Sequence, residues 1–241
     1  MQSNFYVGLS AQISLQRRLE TIANNVANAS TAGFRAEEVK FESVLSRASL
    51  DPTAYATTGK PFLSRKSGEF VRTDNLFDVA VQGDAWLAVQ TPNGTAYTRD
   101  GRMRMTETGE LMSLNNQPML DAGSAPLRLD PNGGPPRISG DGTITQNNRQ
   151  IGALGLFQID PRANLTRVEN SGVVPDRPAT PALDFAKVGV HQGYIERANV
   201  NPVLEMTKLI MVQHAFEAVV ASIKDSDASL QEAIRTLGAT S

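Results

Sequence analysis

The 241-residue chain has no cysteine, two histidines and one tryptophan. The absence of thiols excludes disulfides and thiolate metal sites and is compatible with export. No run of about 18 consecutive apolar residues is present, and the N-terminal stretch lacks the basic segment, unbroken apolar core and small-residue cleavage site of a secretory signal. The expectation is a chain that is soluble as synthesised. A net charge of −2 and a pI near 5.8 give no electrostatic footprint for nucleic acid or anionic lipid. Neither a nucleic-acid partner nor direct membrane insertion is therefore expected. What the chain does have is 40% hydrophobic residues, enough for the core of one large or two small domains.

One absence is local. Thr21 to Phe34 contains no charged residue on any face. Leu15, Leu19, Ile22, Val26 and Ala29 recur at steps of four and three, forming the stripe of a coiled-coil-type helix. Ser3 is suited to cap this helix, and Phe5, Leu9 and Ile13 extend its apolar side. The spacing predicts one helix from Ser3 to about Ser30, with Gly33 as its left-handed stop. Asn24 and Asn28 fall opposite Ile22, where a solvated helix would carry Lys or Glu. Amides there suit a packed environment, because they hydrogen-bond without the desolvation cost of a charge. Both faces are thus expected to be covered.

Residues 35–66 mix charges with Asp51-Pro52 and Gly59-Lys60-Pro61, which predicts a linker with at most one short helix. From Ser67 the pattern alternates, as in Phe77 to Val81 and Trp86 to Val89, with Gly83-Asp84, Asn93-Gly94, Asp100-Gly101 and Thr108-Gly109 as turns. Asn93-Gly94 is a hairpin signal between Val89 and Tyr97. Strand patterns resume through Leu154 to Ile159, which predicts an antiparallel β domain over 67–198. In the last part, Asn199-Val200-Asn201-Pro202 supplies a cap with proline at the first helical position, and Glu205 favours the helix dipole. Leu209, Val212, Phe216, Val219, Ile223, Ser226, Leu230, Ala233 and Leu237 then keep the three-four spacing, with only Ser226 polar, until Gly238. The fold class expected is α+β: long terminal coiled-coil-type helices pairing (1–34 and 199–241), with an antiparallel β domain inserted between them.

No constellation for chemistry stands out. His191 and His214 are outside any His-Glu-x-x-His arrangement. Asn132 to Gly142 is glycine-rich but has no Gly-Lys-Ser/Thr phosphate loop. The sequence leaves open whether its scattered carboxylates pair in space for glycoside cleavage. No catalytic residue, metal site or cofactor is expected.

Three stretches carry a resemblance. Asn24-Asn25-Val26-Ala27-Asn28-Ala29-Ser30-Thr31 with Gly33-Phe34-Arg35 resembles the N-terminal signature of the flagellar rod and hook family of axial proteins. Asn75 to Gly83, Trp86 to Gly94 and Ala96-Tyr97-Thr98-Arg99-Asp100-Gly101 are similar to its β-domain signature, departing at Ala85, where that family commonly has Gly. Tyr194 to Asn201 with Glu205-Met206 and Phe216-Glu217 resembles its C-terminal signature. The resemblance implies a structural, non-enzymatic subunit of the basal-body rod in the periplasm, exported by the flagellar type III apparatus without a cleaved signal. Its partners would be other rod subunits, proximal and distal. Length and local motifs look most like the proximal rod member, with the distal rod member as the alternative. A cell-wall hydrolase or carbohydrate-binding module is the competing class. The assembly interface expected comprises Leu15, Leu19, Ile22, Asn24, Asn25, Val26, Asn28, Gly33 and Phe34 on the N-terminal side. On the C-terminal side it comprises Asn199, Asn201, Glu205, Leu209, Val212, Phe216, Val219, Ile223 and Leu230.

Overall fold

The computed structural model of the protein describes residues 2–40, 43–46, 53–56, 59–169 and 171–238. Two helices and many antiparallel strands make it an α+β chain. It divides into two units, one of Met1–Ala27, Glu37–Leu63 and Asn201–Ser241, the other of Asn28–Ala36 and Ser64–Val200.

In the first unit, helix α1 (Gln2–Ala27) packs antiparallel along helix α2 (Pro202–Gly238). Asn25 near the end of α1 reaches Glu205 near the start of α2, and Gly8 lies against Ile223, so close that a Cβ on Gly8 would meet Ile223 Cγ1 at 2.9 Å. α1 stops at Ala27, short of the expected end at Ser30 and well before Gly33. The run Asn28 to Thr31 offers its backbone other partners: Thr31 N donates to Asn28 O at 3.0 Å, and the Thr31 hydroxyl bonds the Asn28 side chain. α2 begins as its cap dictates. Asn201 Oδ1 accepts from Val203 N and Leu204 N at 3.1 and 3.2 Å, with Pro202 in the first turn. Over Pro202–Ser226, α2 is long and apolar enough to cross a membrane by length and composition alone.

The segment expected to be a linker with one short helix holds strands instead. Glu37–Lys40 pairs with Lys60–Leu63, and Ser43–Ser46 with Thr53–Ala56, both antiparallel. Pro61 misled the sequence reading, because proline is tolerated in a two-stranded ribbon where one edge of each strand has no partner to lose. The expectations for Asp51-Pro52, and for the side chains of Phe5, Leu230, Ala233 and Leu237, lie outside the described residues.

The second unit is built on a six-stranded antiparallel sheet. Its spatial order is Leu165–Val168, Gly172–Pro175, Gly94–Thr98, Trp86–Thr91, Leu156–Gln158 and Thr180–Pro181. The expected hairpin is its centre, but Thr91 pairs with Gly94, so the two-residue loop is Pro92-Asn93 rather than Asn93-Gly94. Trp86, Leu87, Ala88 and Val89 are all buried. Both faces of that strand are covered, one by a large cluster around Val79, Val81, Met103, Leu111, Met119 and Ile144, the other by Leu120, Phe157 and Tyr97. Two further ladders carry the chain toward the end of the unit: Gly189–Gln192 on Val79–Gln82, and Tyr194–Glu196 on Phe70–Arg72.

Candidate functional site

Parts of the three resembling stretches, Gly33 to Arg35, Arg99 and Glu196 to Asn199 among them, meet inside the second unit. Gly33 N donates to Glu196 O at 2.8 Å, and Asn199 N donates to Phe34 O at 3.3 Å, so the loop leaving α1 lies beside the strand leading to α2. Asn199 completes the join: its Oδ1 accepts from Ala36 N at 2.6 Å and its Nδ2 donates to Lys66 O at 2.8 Å. Only glycine fits at position 33, where φ is +68° and a Cβ would stand 2.2 Å from Asp100 N. Phe34 is 1% exposed, with the Arg167 guanidinium 4.1 Å over its ring.

At the centre is one carboxylate. Glu196 Oε1 takes Arg35 Nη2 at 2.8 Å and Gly68 N at 2.9 Å, and Glu196 Oε2 takes Arg99 Nε at 2.8 Å. All three charged side chains are 3% exposed or less. Arg99 also donates to the carbonyls of Val81, Gly83 and Ala85, and Arg35 to that of Lys66. Both guanidinium groups lie within 6 Å of the Trp86 ring centre, at 5.7 and 5.9 Å, in cation–π range. Burial pulls the Arg35 guanidinium down from its ordinary value to about 10; Glu196 opposes that shift and Arg99 reinforces it. Motif residues had pointed to this place, but Arg35, Trp86, Arg99 and Glu196 were absent from the expected site. The signal that could have found them is charge inside segments otherwise read as buried strand or turn.

The first unit has its own polar clamp. Asn25, 3% exposed, donates from Nδ2 to Glu37 O and accepts at Oδ1 from Glu37 N, both at 2.9 Å. Its Nδ2 also lies 3.4 Å from Glu205 Oε2, and Glu205 Oε1 takes Lys208 Nζ at 2.6 Å. Asn25 and Glu205 are thus buried within the first unit. Ile22 and Val212 are buried, whereas Leu15, Leu19, Asn24 and Val26 on α1 and Leu209, Phe216, Val219 and Ile223 on α2 are only half-buried. Asn28 is half-buried too, but it lies beyond the end of α1, so its placement opposite Ile22 on a helix does not hold. Asn201 is exposed at its cap.

Opposite the α2 seam stands a second apolar face. Val203, Met206 and Ile210 follow one another at steps of three and four and are 73, 54 and 56% exposed; Leu204 and Met211 flank them at 52 and 66%. Tyr6, Leu9 and Ile13 on α1 repeat the same steps and are also exposed. Among the described residues, no group of three His, Asp or Glu side chains could hold a metal ion. His191 bonds Gln82 at 2.9 Å, and His214 lies 3.9 Å from Glu217 on the same helix.

Comparison with known proteins gives three family matches along the chain. Residues 5–35 match the flagella basal body rod protein family, residues 80–175 the flagellar hook protein FlgE/F/G D1 domain, and residues 191–236 the flagellar basal body rod FlgEFG protein C-terminal family. The chain is 52% identical to the flagellar basal-body rod protein FlgF of Mesorhizobium japonicum, over 100% of both chains. It is 46% identical to FlgF of Rhizobium meliloti, over 99% of each. Similarity to the rod protein FlgG of Bacillus subtilis is lower, 28% over 97% of this chain and 98% of the relative.

Proposed function

The chain belongs to the flagellar basal-body rod protein family and is a structural subunit of the rod, and from that premise we propose that it builds the proximal rod by packing its terminal helices against those of neighbouring subunits. Identity of 52% and 46% to the two FlgF relatives, against 28% to the Bacillus subtilis FlgG, supports the proximal over the distal position. In this reading α1 and α2 form the coiled-coil-type axial domain, and the β unit is the outer layer. The proximal and distal rod proteins are its partners. The flagellar type III apparatus delivers it to the periplasm.

The observation that carries the reading is the exposed apolar stripe Val203, Met206 and Ile210, on the side of α2 opposite its packing against α1. An apolar stripe of this kind on a helix already packed on its other side marks an interaction surface. Insertion of the same segment into a membrane is disfavoured by Glu205, Lys208, Glu217, Lys224 and Asp225, which lie along Pro202–Ser226. Ile210→Asp tests this. At an exposed site it should change the stability of the purified subunit by no more than about 0.5 kcal/mol. In cells it should abolish rods in basal bodies viewed by electron microscopy, and with them motility. Normal rods in that variant would refute the role given to this face.

A further inference from the structure

In the Glu196 cluster, a single carboxylate from the last strand of the β unit stands between two arginines that arrive much earlier in the chain. Arg35 and Arg99 bond to its two oxygens and flank the same indole ring, so their guanidinium groups are close neighbours. Buried at 3% and 1% exposure, they are two like charges in a medium where neither can be left uncompensated. Every other strand of the unit precedes Tyr194–Glu196 in the sequence. The backbone of Glu196 also receives Gly33 N, which ties the N-terminal loop to the same event.

We infer that Glu196 is a closing counter-charge: until the Tyr194–Glu196 strand docks, Arg35 and Arg99 repel each other and the Trp86 pocket stays open. The unit then closes in one step, capturing the Gly33–Arg35 loop and the C-terminal strand together. Because a chain is made from its N-terminus, closure waits until synthesis is nearly complete, and a partial chain stays unfolded. This device is independent of the role of α2 in assembly.

Trp86 is the only tryptophan, so its fluorescence reports closure during refolding of the full-length protein from urea. Glu196→Gln should fail to regain the native Trp86 signal or do so with a much lowered urea midpoint. The double variant Arg35→Met/Glu196→Gln should recover part of that loss, because one of the two repelling charges is gone. A double variant no more stable than Glu196→Gln would show that Glu196 acts only as a packed hydrogen-bond acceptor, and so would a native-like single variant. Kinetics give a second reading. Glu196→Asp should slow refolding by about tenfold with a smaller effect on unfolding, as for a contact made in the closing step. A change falling mainly on the unfolding rate would place Glu196 docking after closure and overturn the inference.

Discussion

The two units solve the problem of burial differently. The β unit completes itself: its central strand is covered on both faces, and its buried carboxylate has hydrogen-bond donors on both oxygens. The helical unit does not. Apart from Ile22 and Val212, the described apolar residues of the seam from Leu15 to Ile223 are half-buried, and Val203, Leu204, Met206, Ile210 and Met211 of α2 are exposed. A unit that finishes its own core holds its shape alone, whereas one that leaves apolar surface uncovered keeps part of its stabilisation for contact with something else. The β unit is thus closed within itself, while the helical unit leaves apolar surface exposed.

That contrast can be broken at the β unit first. Gly33→Ala would drive a Cβ to 2.2 Å from the Asp100 backbone at a positive φ, and no side-chain movement relieves a backbone clash. A loss of about 3 kcal/mol is expected, read as a lowered urea midpoint by Trp86 fluorescence. In the helical unit, Asn25→Ala removes both hydrogen bonds to the Glu37 backbone and leaves the Glu37 N–H and C=O without that partner. The expected cost is about 2 kcal/mol, seen as earlier loss of helix by circular dichroism while the Trp86 transition stays in place. Movement of both transitions together would mean that the two units unfold as one.

The smallest effect concerns pH. Asp141 is held below its ordinary value of 3.8 by hydrogen bonds from Thr143 N and the Thr143 hydroxyl. A carboxylate lowered on folding adds stability above its unfolded value and loses it as pH falls through the folded one. Asp141→Asn should therefore flatten the acid limb of the stability curve below pH 3.8, shifting the melting temperature there by no more than about 2 °C. An unchanged acid limb would assign the acid sensitivity to other carboxylates.

Elements with a strong period were legible. The three-four spacing located α1 and α2, the Asn201-Pro202 pair located the start of α2 to the residue, and alternation located the central hairpin. Legibility failed where local competition or distant partners decide. Nothing in the apolar stripe says that Asn28 and Thr31 take the backbone out of the helix before Ala29. Residues 35–66 carry proline and charge, and their strands exist only because Glu37–Lys40 and Lys60–Leu63 find each other from opposite ends of the segment. The charge cluster was hidden for a similar reason. Arg35, Arg99 and Glu196 lie in three stretches far apart in the sequence, and only their meeting gives them a joint interior role.

The hydrogen bond from Asn199 N to Phe34 O has a consequence for evolution and design. It ties the first segment of the β unit, Asn28–Ala36, to the stretch that ends at Val200, so two of the four places where the chain passes between the units have their stems bonded to each other. Such a unit can gain or lose loops, or be replaced by another that offers the same paired stems, with no change in the sequence of α1 or α2. Loops between these stems are then free to vary while the stems themselves stay fixed.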